Sequence, residues 1–126
     1  MTATVVVLAT AGSPEEAERI ATTLVEARLA ACVNLVTPVT SIYRWQGAVE
    51  RASEVLLVIK TRRTSTTRLV ARLRALHSYE LPEVIVLPIV AGSAPYLRWL
   101  VAETAPIAAT PRRRPRRRTP QRVRRR

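Results

Sequence analysis

The chain has 126 residues, 48% of them hydrophobic, which suits one domain of ordinary size with a real core. Its formal charge of +12 suggests a nucleic-acid binder, but ten of the 21 basic residues lie between Arg112 and Arg126. Residues 1–111 carry 11 basic and 9 acidic groups, so the body is nearly neutral and the positive charge belongs to a tail.

The opening stretch has no basic n-region, and its apolar run is too short for a signal peptide or a membrane span. Cys32 is the single cysteine, so no disulfide forms within a chain, which suits a reducing compartment. The expectation is a soluble, cytoplasmic protein.

Thr4–Thr10 is a short β-branched run and reads as a buried strand. Ser13 then offers an N-cap, Pro14 suits the first helical position, and Glu15 and Glu16 favour the positive end of the helix dipole. Ala17, Ile20, Ala21, Leu24, Val25 and Leu29 follow helical spacing, so an amphipathic helix is predicted to end near Arg28. Cys32–Trp45 reads as a long strand. Its alternation changes phase near Pro38, where a bulge or bend is predicted because proline donates nothing to a ladder. Gln46–Gly47 is a tight-turn signal, and Ala48–Thr61 returns as a second long strand. A helix follows with Leu69, Val70, Leu73 and Leu76 on one face. Glu83–Val90 reads as the last strand. A short final helix is capped by Ser93, has Pro95 in its first turn, and turns Leu97, Leu100 and Val101 inward.

The order β-α-β-β-α-β-α is that of an α+β, ferredoxin-like fold with an added C-terminal helix and an antiparallel four-stranded sheet. Val5–Leu8, Val55–Ile59 and Val84–Leu87 are apolar at every position, so both faces of these strands want burial. Two long helices cover one face. The other is predicted to be an exposed apolar patch, which marks an interface. The hairpin points the same way. At about 3.3 Å per residue, a strand of about thirteen residues spans roughly 43 Å. A compact domain of about 104 residues is roughly 33 Å across. The tip around Trp45 is therefore expected to overhang its own domain, unless the strands bend, and to meet a neighbouring subunit.

Five motifs, LAACVNLV, SIYRWQG, SEVLLVIKT, HSYELPEVIVLP and PYLRWL, occur in the order and spacing of the CutA family, the divalent-cation tolerance proteins, which the chain resembles from Thr4 to about Glu103. The resemblance implies a ferredoxin-like protomer, a stable homotrimer similar in plan to the PII signalling proteins, and an association with copper and divalent-cation tolerance. It implies no enzyme activity. In bacterial members discussed as copper binders, a cysteine ends the first strand and a His-His pair opens the motif before the last strand. Here those positions are Ala9 and Leu76–His77.

His77, the only histidine, is read either as a ligand in a groove between protomers, together with Glu80, or as a turn residue bonding backbone between helix and strand. Cys32 is a third candidate ligand, or a small buried hydrophobe. Trp45, Tyr79 and Lys60 are candidates for an inter-subunit pocket; Lys60 alternatively just closes a strand end. There is no aspartate, and no GxSxG, GxGxxG, P-loop or HExxH pattern, so no catalytic residue is assigned.

The domain is placed at residues 1–104. Residues 105–126 form an Arg/Pro-rich tail without apolar periodicity, predicted to be disordered. Its arginines, Arg112, Arg113, Arg114, Arg116, Arg117, Arg118, Arg122, Arg124, Arg125 and Arg126, make a candidate arm for nucleic acid or another polyanion. With no aromatic residue to stack on bases, such binding is electrostatic and sequence-independent. The sequence is thus read as a non-catalytic homotrimer serving copper and divalent-cation tolerance. The alternatives are a PII-like trimer that binds a small ligand, and a tail-driven nucleic-acid-associated protein.

Overall fold

The structure, a computed structural model, describes residues 3–106. In chain order it contains β1 (Thr4–Ala11), α1 (Pro14–Glu26), β2 (Cys32–Trp45), β3 (Ala48–Arg62), α2 (Thr66–Leu76), β4 (Val84–Pro88) and α3 (Ala94–Thr104). The strands form one sheet in the order β2-β3-β1-β4, and every neighbouring pair is antiparallel. This is the α+β, ferredoxin-like arrangement with a C-terminal helix added. The arginine-rich stretch lies outside the described residues.

Local chemistry sets the boundaries. Ser13 caps α1: its Oγ accepts the Glu16 N–H at 3.1 Å, and Pro14 occupies the first turn. Such a cap is worth about 1 kcal/mol. α1 ends at Glu26, and Arg28 turns the chain away with a left-handed φ of 62°. Ser93 precedes α3, but its side chain makes no capping hydrogen bond. The β2–β3 turn has φ of 51° at Gln46 and 84° at Gly47, the pair of positive angles that a two-residue hairpin of matching twist requires. The phase change near Pro38 is a register shift between Val36 and Val39, with the Thr37–Pro38 peptide bond cis.

The core lies between the sheet and the first two helices. Val5, Val7, Ala9 and Ala11 of β1 and Val55, Leu57 and Ile59 of β3 pack on Ala17, Ile20 and Leu24 of α1 and Leu69 and Leu73 of α2. These strand positions alternate, so the intervening residues face the opposite side of the sheet.

α3 lies on that second face. Arg62 of β3 donates to the Thr104 carbonyl at 2.7 Å, and Arg28 donates to the carbonyls of Ala102 and Ala105, both at 2.9 Å. Two arginines thus bond carbonyls at the helix end, where intrahelical donors run out. Leu100 is fully buried, whereas Leu97 and Val101 are only half-buried. α3 shelters one end of the face. Val36, Ile85 and Leu87, which register with Leu56, Leu8 and Val6 on the same face, remain exposed. The second face is therefore partly covered, and its uncovered part is apolar. Ile42 and Val49 on the hairpin arm are also exposed. No helix among the described residues is long and apolar enough to cross a membrane.

Candidate functional site

The segment from Ser78 to Glu83, between α2 and β4, is held by a buried histidine. The His77 side chain is wholly buried. Its Nδ1 accepts the Tyr79 N–H at 3.0 Å, so the ring proton sits on Nε2, which donates to the Thr10 carbonyl at 2.7 Å. Both imidazole nitrogens are used by backbone. Glu16, from α1, completes the clasp by accepting the Ser78 N–H at 2.8 Å and the Ser78 hydroxyl at 3.1 Å. Its carboxylate is 3.5 Å from His77 Nδ1. Burial raises the Glu16 pKa. The two Ser78 hydrogen bonds outweigh that and hold the carboxyl below the usual carboxylate range.

Tyr79 then crosses back over the sheet. Its ring stands 4.6 Å from the His77 ring, and its hydroxyl donates to Glu54 Oε2 at 2.8 Å. Burial, and next the Glu54 hydrogen bond, push the phenol well above the usual tyrosine range, so it remains a donor. Gly12 makes room for this crossing. A Cβ there would sit 3.0 Å from the Tyr79 hydroxyl, so a larger residue would press the phenol off Glu54.

A cavity of about 820 Å³ opens beside this pair. Its walls are the hairpin arm from Ser41 to Trp45, Thr10 and Glu54 in the sheet, and the segment from Tyr79 to Glu83. Of the residues singled out from sequence, Trp45, Tyr79 and Glu80 therefore share one cavity, and His77 is bonded to its lining residues Thr10 and Tyr79. Lys60 and Cys32 lie elsewhere. They are register partners at the level of Val6, four residues along β1 from Thr10, or about 13 Å. Lys60 Nζ donates to Asn34 Oδ1, and the half-buried Cys32 lies against Tyr96 of α3. His77, Cys32 and Glu80 do not converge. Among the described residues no three His, Cys, Asp or Glu side chains come together as a metal-holding group.

Sequence reasoning missed Glu54, Glu16 and Gly12. Glu54 is a charged residue directly before the apolar run Val55–Ile59, which is a signal. Nothing in the sequence ties it to Tyr79, 25 residues on.

The family model described as "CutA1 divalent ion tolerance protein" matches residues 5–103. The Divalent-cation tolerance protein CutA of Thermus thermophilus is 52% identical over 99 residues, covering 79% of this chain and 96% of that protein. Its solved structure superposes with a TM-score of 0.79 at 50% identity, over 81% of this chain and 99% of that one. Protein CutA of Mus musculus is 50% identical over 84 residues, which are 67% of this chain and 48% of the mouse protein.

Proposed function

The chain belongs to the CutA1 divalent ion tolerance family, and on that premise we propose that it serves divalent-cation tolerance by binding rather than by catalysis, as a homotrimer in the cytoplasm. The observation that carries this reading is the family match, which spans almost all of the described residues. The trimer is supported by the exposed apolar side chains Val36, Ile85 and Leu87 on the sheet and Ile42 and Val49 on the hairpin arm. A reducing compartment suits the free thiol of Cys32.

Copper is the cation we assign, and among the three candidate ligands Cys32 suits it best. A thiolate is a soft ligand of the kind that selects Cu(I). Both His77 nitrogens are engaged by backbone, and Glu80 sits in the cavity, remote from Cys32. The test is anaerobic calorimetric titration of the full-length protein with Cu(I). Cys32→Ser is expected to weaken binding at least about tenfold, or about 1.4 kcal/mol. His77→Ala, checked for a retained fold, is expected to leave the affinity within about threefold. The reverse pattern would move the site to His77.

A second reading, a PII-like trimer that takes a small ligand, is favoured by the cavity. Its volume of about 820 Å³ falls in the range of small-molecule sites. A third, nucleic-acid association, rests on the arginines of the tail.

A further inference from the structure

Glu54 is an unusual residue for its position. It stands on β3 directly before the core residue Val55, and only 8% of its surface is exposed. Within one protomer, and among the described residues, it accepts one hydrogen bond, from Tyr79, and has no cationic side chain in salt-bridge contact. Burying a carboxylate without a counter-charge costs several kcal/mol. The Tyr79 hydroxyl offsets part of that cost, and the unmet part favours a positive charge on the cavity side of Glu54.

The rest of the wall has the same sense. Glu80 and Glu83 add two carboxylates, and Arg44 supplies the single guanidinium. Tyr43, Trp45 and Tyr79 are three aromatic residues of the same lining. Ring faces attract cations, by about 0.5–1 kcal/mol when exposed and about 2 kcal/mol or more when desolvated.

A bare metal ion fits this lining poorly. Hard divalent cations need six to eight oxygen ligands for calcium, or a near-ideal octahedron for magnesium. The carboxylates do not gather into a metal-holding group of three. They are spread around a space of about 820 Å³, with rings among them. That pattern suits a charge carried at one end of an apolar body.

Building on the small-ligand reading above, we infer that the cavity binds an organic cation, a primary ammonium or guanidinium group on an aromatic or aliphatic body. Glu54 is the counter-ion, Tyr79 holds the Glu54 carboxylate in place, and Trp45 and Tyr43 cover the apolar part. The clasp of His77 and Glu16 fixes the Tyr79 side of the wall.

The test is titration of the full-length protein with three probes of one shape: benzylamine, benzyl alcohol and benzoate. Benzylamine is expected to bind saturably and at least about tenfold tighter than the alcohol, equivalent to about 1.4 kcal/mol, with benzoate weakest. Glu54→Gln, which keeps an acceptor for Tyr79, is expected to remove that preference while leaving the thermal midpoint within a few degrees. Trp45→Leu, remote from the core, is expected to weaken the amine without reordering the probes. Equal binding of amine and alcohol, unchanged by Glu54→Gln, would overturn the cation class while leaving a small-ligand pocket standing. Binding of none of the probes to the folded protein would overturn both. Displacement of benzylamine by stoichiometric zinc or copper, lost in Glu54→Gln, would make the cavity a metal site and also overturn the inference.

Discussion

Leu87→Glu is expected to convert the assembled protein into folded single chains. Leu87 registers with Val6 on the sheet face that α3 leaves open, and 43% of its surface is exposed in the protomer. A carboxylate there stays in water when the chain is alone, so the fold itself tolerates it. In a trimer sealed through this face, three carboxylates would be buried without counter-ions. Leaving an unpaired charge buried costs about 3–5 kcal/mol. That is roughly a hundredfold to several thousandfold in association for each copy. Sedimentation velocity would report the change of mass, and far-ultraviolet circular dichroism would report the retained fold. An unchanged assembly would show that another surface holds the copies together.

The second large effect belongs to the tail. Ten arginines between Arg112 and Arg126 make a dense positive arm, and a trimer carries three of them. Linked arms raise avidity without new contacts when one polyanion reaches more than one arm. The full-length protein is expected to bind DNA or RNA without sequence preference. If about six phosphates are neutralised, affinity falls about a thousandfold between about 50 and about 200 mM salt. A protein truncated after Pro106 is expected to lose this binding and keep its fold, because residues 1–111 carry only 11 basic against 9 acidic groups. Fluorescence anisotropy with a labelled oligonucleotide measures both. Equal binding by the two proteins would show that the arm is not the cause.

Most of the fold was legible because its signals are local. Ser13, Pro14 and the apolar spacing beyond them mark α1 within the sequence itself. The loss of alternation at Pro38 marks the register shift between Val36 and Val39. Gln46–Gly47 marks a turn whose positive φ angles suit glycine and few other residues. The placement of α3 was less legible. Leu97, Leu100 and Val101 were expected to face inward together, yet only Leu100 is fully buried, because α3 lies at one end of a face with little above it.

The candidate site was legible only in part, because its contacts join distant segments. Glu16 reads as a helix-dipole residue, and its bonds to Ser78 cross 62 positions. The Glu54–Tyr79 pair and the Arg62–Thr104 pair likewise have no pattern of spacing to announce them. For His77 the sequence left ligand and turn residue both open. The two backbone partners found for its ring occupy both nitrogens.

The central claim is that this chain works as an assembly closed over the apolar side of its sheet. Sedimentation equilibrium of the full-length protein across the low micromolar range tests it most directly. A single species of three chains that persists on dilution is the expected result. A folded monomer at micromolar concentration would contradict it.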